Sequence, residues 1–252
     1  MRFSRLLLLS SVLVGIATLS NLAKAQKGGF VDVQQADGTS LRGYVSGPED
    51  STAGVLVVHD YFGISDATRE SVEHLGALGY RAMAIDLYGG KSASTHEEAV
   101  KLMQSLERKA TDKALQTGLD QLKKSGRKIA TLGFSMGGQE SLFANLNDPD
   151  AVSATAIVYG FGFDKLEIGR LERLKSPVLI ISGADDTGAV QTANGFLSNM
   201  TAANRQCEVF IYPGVDHGYA QPLFNGGKNF NPEALRASWI VIDDFLYSHL
   251  KR

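Results

Sequence analysis

Three features of the sequence predict an α/β fold: a mainly parallel sheet that opens with an antiparallel hairpin and carries helices on both faces. Short β-rich runs alternate with segments of helical periodicity from Val55 onward. Most of these runs are apolar almost throughout, the pattern of strands covered on both sides. Near the start, two further runs flank Asp37-Gly38, a dipeptide suited to a tight hairpin turn.

Taken in order, the hairpin strands are predicted at 30–34 and 41–45, and the later strands at 55–58, 81–85, 128–132, 154–159, 178–181 and 207–212. Helices are predicted over about 66–78, 96–108, 112–124, 136–146, 188–202 and 232–250. The second opens at Thr95-His96-Glu97-Glu98, where Thr95 and Glu98 suit a capping box. In the last, Leu235, Trp239, Ile242, Phe245 and Leu246 recur at three- and four-residue spacing, which assigns Trp239 to the core. Strand–helix alternation after a hairpin implies the parallel sheet. No repeat, low-complexity tract or linker divides residues 26–252, so one domain is expected there.

The chain has 252 residues, 44% of them hydrophobic, which is ample for a sizeable core. Its 27 glycines exceed the usual share without any period, as in a folded protein with many tight turns. Acids and bases are mixed, with a formal charge of −2 and no Lys/Arg block, so nucleic acid is not an expected partner. The single cysteine, Cys207, excludes an intramolecular disulfide framework and a Cys-based zinc cluster, and its apolar surroundings predict a buried strand residue.

Residues 1–25 read as a secretory signal peptide: Arg2 and Arg5, an apolar stretch from Leu6 to about Leu19, then Ala23-Lys24-Ala25. Polar and small residues within the stretch argue against an uncleaved anchor. Cleavage leaves 22 basic and 27 acidic residues in an exported protein, periplasmic or secreted, with no membrane association expected. Asn199-Met200-Thr201 matches the N-glycosylation pattern, which is short enough to occur by chance.

Gly133-Phe134-Ser135-Met136-Gly137-Gly138 follows a predicted strand and opens a predicted helix, the context of a G-x-S-x-G nucleophile elbow. A dinucleotide loop would need glycine where Ser135 stands, and a P-loop would need a following lysine. A serine hydroxyl is a weak nucleophile and requires a base with an orienting acid. Asp185-Asp186 at one strand end and His217 after the last strand supply both, in the order acid then histidine. From the residues alone, Asp185 and Asp186 are almost equally placed. His74, His96 and His249 lie on predicted helices as surface residues, and His59 precedes the elbow, the wrong order for the base. No H-x-H or H-E-x-x-H is present, so neither a metal nor a cofactor is expected.

Together these residues resemble the dienelactone hydrolase family of the α/β-hydrolases, from about residue 30 to the end. The resemblance rests on His59-Asp60-Tyr61-Phe62-Gly63-Ile64, Gly79-Tyr80 through Asp86-Leu87-Tyr88, the elbow, Gly183 to Asp186, and Tyr212-Pro213-Gly214 through His217-Gly218-Tyr219. It implies an α/β-hydrolase fold, Ser135 as nucleophile, His217 as base and Asp186 rather than Asp185 as acid. It places an oxyanion hole at the backbone N–H groups of Tyr61 and Met136. Three positions depart from the family. Ser135 replaces the cysteine of its best-known members, Asp60 replaces a glutamate, and Gln221 stands where an arginine binds the substrate carboxylate, which argues against dienelactone itself.

The expected function is therefore a cofactor-independent serine hydrolase that cleaves small carboxylic esters or lactones through an acyl-enzyme. Tyr61, Phe62, Tyr88, Phe161 and Tyr219 are candidates for its pocket, with Asp60 as an auxiliary group. The alternatives are a thioesterase or peptidase on the same triad, or a non-catalytic periplasmic binding protein retaining the fold.

Overall fold

All six residues of β3 (Ala53–Val58) are buried, because its even and odd side chains face two different helical layers. Val55 and Val57 join a cluster with Val72 and Leu75 of α1 (Asp66–Ala77) and Ile242, Phe245 and Leu246 of α7 (Pro232–Leu250). Leu56 and Val58 point the other way, to Leu115, Leu119 and Leu122 of α3 (Arg108–Lys123). Farther along that second face, Ile157, Val178 and Ile180 pack on Leu142 and Leu146 of α4 (Met136–Asn147) and on Phe196 and Met200 of α6 (Thr187–Ala202). The result is a three-layer sandwich with the sheet in the middle.

This computed structural model describes residues 27–124 and 126–251, so the expected signal segment 1–25 lies outside the described residues. Among them the sheet has eight strands in the order β1-β2-β4-β3-β5-β6-β7-β8. β1 (Gly29–Gln34) and β2 (Ser40–Ser46) form the antiparallel hairpin, and β2 is antiparallel to β4 (Arg81–Ile85). From β4 onward every pairing is parallel, through β3, β5 (Lys128–Phe134), β6 (Val152–Val158), β7 (Val178–Gly183) and β8 (Cys207–Tyr212). The chain lays β4 on one side of β3 and then crosses to lay β5 on the other. At that reversal, the loops leaving β3 and β5 stand side by side at the carboxyl edge, where ligands of such sheets bind.

Some elements differ from expectation. β8 is an edge strand whose residues Glu208, Phe210 and Ile211 are exposed, so Cys207 is half-buried rather than sealed in a core strand. α2 (His96–Gln104) stops four residues early, and residues 108–111 belong to α3. Arg108 accounts for this: it pairs with Asp112 one turn on and with the buried Glu140 of α4, which fixes the start of α3. A four-residue helix, α5 (Ile168–Leu171), is too short to leave a periodic signal. The Thr95–Glu98 capping box is present. Trp239 is half-buried against the α1/α7 cluster, and Asn199 donates its amide to the Asp164 carbonyl at 2.7 Å within the fold.

α4 is pressed against the end of β3 more tightly than a side chain permits. A Cβ on Gly137 would lie 2.2 Å from the Val58 carbonyl oxygen and 2.4 Å from that of His59. Gly137→Ala is therefore expected to destabilise the protein by roughly 1–3 kcal/mol in urea unfolding. Gly169→Ala, where a Cβ meets nothing within 4 Å, should leave the midpoint unchanged or slightly raised.

Candidate active site

The turn from β5 into α4 is made by a single residue. Ser135 has φ 54° and ψ −120°, a conformation that ordinary side chains rarely adopt. It is held on both sides: its N–H donates to the Val158 carbonyl at 2.9 Å and its own carbonyl accepts from Gly138 N–H at 2.9 Å. This bend carries Oγ out of the sheet, to 3.0 Å from Nε2 of His217.

His217 sits on the loop after β8. Its carbonyl accepts from the Asn229 amide at 2.9 Å, and its N–H donates to Oδ1 of Asp216 at 2.7 Å. The edge of the Tyr159 ring packs on the imidazole at 5.1 Å between centroids, with Phe224 at 5.2 Å and Phe161 at 6.1 Å. Nδ1 lies 2.5 Å from Oδ2 of Asp186. A proton on Nδ1 leaves Nε2 free to accept from Ser135.

Asp186 caps α6, accepting Ala189 N–H at 3.0 Å with Oδ1 and turning Oδ2 back to the histidine. Burial raises its pKa, but the hydrogen bonds from His217 and Ala189 outweigh that and hold the carboxyl below its ordinary value. Asp185 is exposed and makes no side-chain contact with His217, so the fold brings Asp186 to the imidazole and not its neighbour.

Beside Ser135, the loop after β3 is organised by Asp60. Its buried carboxylate accepts Phe62 N–H at 2.8 Å and the Gln221 amide at 2.6 Å, tying this loop to the one that carries His217. The backbone N–H groups of Tyr61 and Met136 have no hydrogen-bond partner among the described residues. They belong to the residues after β3 and after Ser135, which places two unspent donors around the reversal of strand order. His59 is a strut: buried, it donates from Nδ1 to the Asp60 carbonyl at 2.6 Å and accepts Leu87 N–H at 3.2 Å on Nε2. Burial lowers its pKa, and this pairing suits a neutral ring.

The other pocket candidates separate into two groups. Phe62 and Tyr219 have no exposed surface, and the Tyr219 hydroxyl is spent on Ser238 at 2.6 Å, so both are core residues and neither lines open space. Tyr88 is buried with its hydroxyl 3.6 Å from the Met136 sulfur, while Phe161 stays 40% exposed beside His217. An open cleft of about 590 Å³ lies over the imidazole, lined by His96, Asp216, His217, Phe224, Asn225, Gly226 and Asn229. His96, expected as a surface residue, faces this cleft and bonds the Tyr61 hydroxyl at 2.9 Å through Nδ1. Neither His96 nor Phe224 stands out in the sequence, because contacts across 35 or more residues leave no local pattern.

Asp60 gives this site a pH signature. Burial among neutral donors raises its carboxyl from 3.8 to about 6. A carboxyl raised in the folded state costs stability as it ionises, so this contribution is lost as pH climbs from about 4 through 6, by about 2–3 kcal/mol at most. In urea unfolding across that range, Asp60→Asn should show a correspondingly smaller fall with pH than the wild type. Parallel curves would show that Asp60 ionises in the folded protein as it does in water.

The sequence and the fold are shared with known proteins. The model of the dienelactone hydrolase family matches residues 41–250. The carboxymethylenebutenolidase of Pseudomonas putida is 24% identical over 209 residues, covering 78% of this chain and 87% of that protein. Protein usf of Aquifex pyrophilus is 26% identical over 197 residues, covering 73% and 84%. Among solved structures, a dienelactone hydrolase-like promiscuous phosphotriesterase from metagenomic libraries superposes with a TM-score of 0.76 at 22% identity, over 89% of this chain and 99% of that one, a likeness of fold. With its family model spanning most of the described chain, this protein belongs to the dienelactone hydrolase family.

Proposed function

We propose that this protein is an exported serine hydrolase that cleaves carboxylic esters or lactones through an acyl-enzyme. The observation that carries the reading is the continuous relay from Ser135 Oγ to His217 Nε2 at 3.0 Å and from His217 Nδ1 to Asp186 at 2.5 Å. Ser135 attacks the substrate carbonyl as His217 takes its proton, and the ionised Asp186 stabilises the imidazolium. The N–H groups of Tyr61 and Met136 receive the oxyanion; one such donor is worth about 3–4 kcal/mol in the transition state. His217 then protonates the leaving alcohol and activates the water that releases the acid.

The family's cysteine chemistry is not expected here. The one thiol, Cys207, lies at the start of an edge strand, and burial pushes its pKa up to about 12, away from the reactive thiolate. Membership of a family that includes a carboxymethylenebutenolidase supports lactones beside open esters, and Gln221 in place of a cation favours substrates without a carboxylate. Export, with residues 26–252 as the mature domain, rests on the sequence of residues 1–25; an N-terminus at Gln26 in the processed protein is the expected result.

A panel of short-chain aryl esters and lactones tests the assignment. Ser135→Ala should lower turnover by at least about 10³-fold and abolish labelling by a fluorophosphonate. Equal rates in mutant and wild type on every substrate would remove the serine mechanism. Asp186→Asn should cost roughly 10⁴-fold in kcat, since the imidazole is then held in the wrong tautomer. Asp185→Asn should stay within about threefold of the wild type, as expected of an exposed group outside the relay.

A further inference from the structure

Asp60 carries a charge that the protein does not neutralise. Its carboxylate is 5% exposed, its hydrogen-bond partners are the neutral Phe62 N–H and Gln221 amide, and it forms no ion pair among the described residues. A buried carboxylate in that state is costly and gains from a cation.

A cavity of about 200 Å³ opens beside it between α1 and α7, and neither Ser135 nor His217 lines it. Its lining is rich in aromatic rings: Phe134 lies 6.4 Å from Trp239 and 6.1 Å from Tyr159 between ring centroids, and Phe230 adds a fourth. Glu70, exposed, adds a second carboxylate to the lining, and no lysine or arginine lines the space. His74, also in the wall, lies against Trp239 at 4.2 Å between ring centroids with the rings tilted by 43°, and is bonded to Asp243. Aromatic rings and carboxylates with no lysine or arginine among them are the chemistry that recognises an organic cation. A bare metal ion would want a cluster of ligating side chains, and no group of three or more His, Cys, Asp or Glu side chains suited to a metal forms among the described residues.

We propose that this cavity binds a compact organic cation, an alkylammonium or quaternary ammonium group, with the aromatic walls against its carbons and Asp60 and Glu70 as its counter-charges. The site is independent of the hydrolase assignment, although Asp60 links the two physically. The carboxylate that would face the cation also holds the Phe62 N–H, next to the Tyr61 donor.

Trp239 is the only tryptophan in the chain, so its fluorescence reports occupancy of the cavity directly. The full chain is titrated at pH 8 with tetramethylammonium chloride, against tert-butanol as the neutral molecule of similar size, with sodium chloride holding ionic strength constant. A saturable change with the cation and none with the alcohol is expected. The affinity should fall roughly tenfold in Asp60→Asn and measurably in Glu70→Gln, and ester turnover by Glu70→Gln should equal that of the wild type. Equal responses to cation and alcohol, no saturable response to the cation, or an affinity unchanged in Glu70→Gln and in a folded Asp60→Asn would each overturn the proposal. Because the signal is binding, its failure leaves the hydrolase assignment standing.

Discussion

A chain that leaves β5 and enters α4 with one intervening residue must place that residue outside ordinary backbone space, and the site is arranged around Ser135 at φ 54°. Such a conformation costs of order 1–3 kcal/mol and persists only where its surroundings over-determine it. The surroundings here are steric as well as hydrogen-bonded. α4 approaches the end of β3 so closely that Gly137 admits no Cβ, and Ser135 is fastened to Val158 and Gly138. The same close approach puts the loop after β3, with its free Tyr61 N–H, beside the serine. Strain, helix packing and donor placement are thus one arrangement.

The electrostatics divide between two carboxylates near one imidazole. Asp186 is held below its ordinary pKa by the hydrogen bonds it accepts at a helix start, whereas burial among neutral donors raises Asp60. Environments that push like groups apart in this way assign them different work. Asp186 suits a permanently charged partner for His217, and Asp60 suits a structural tie between the two loops that flank the serine. Its unneutralised charge also distinguishes the α1/α7 cavity from an ordinary apolar groove.

Much of the fold is legible in the sequence because the central strands are apolar on both faces and the hairpin carries its turn dipeptide. β8 lies at its expected bounds, 207–212, but its exposure is not legible, since an apolar run looks the same whether or not a helix covers its second face; its place at the edge leaves Phe210 and Ile211 exposed. Within the site, chain order and strand-end position single out Ser135, His217 and the Asp185-Asp186 pair, the family resemblance favours Asp186, and the fold gathers the side chains of Ser135, His217 and Asp186. The choice between Asp185 and Asp186 turns on which residue caps α6, a matter of one φ/ψ pair that residue types do not encode. Aromatic residues in loops carry less positional information than strand-end residues. Tyr219 looks like a pocket residue by its position two after His217, yet its hydroxyl finds Ser238 nineteen residues on and draws the ring into the core. His96 stays exposed at its helix start, as its sequence position suggests, and there it bonds the Tyr61 hydroxyl in the wall of the open cleft.

The central claim is that Ser135, activated through His217, becomes covalently acylated during turnover. Rapid mixing of the protein with an activated aryl acetate, followed by quenching and mass analysis of the peptide containing residue 135, tests it most directly. The account predicts a burst of aryl alcohol close to one equivalent of protein wherever deacylation is the slower step, with an acetyl group on Ser135 that decays as turnover proceeds. Steady turnover with no burst, an unmodified Ser135 peptide and an acetyl group on another residue would contradict it.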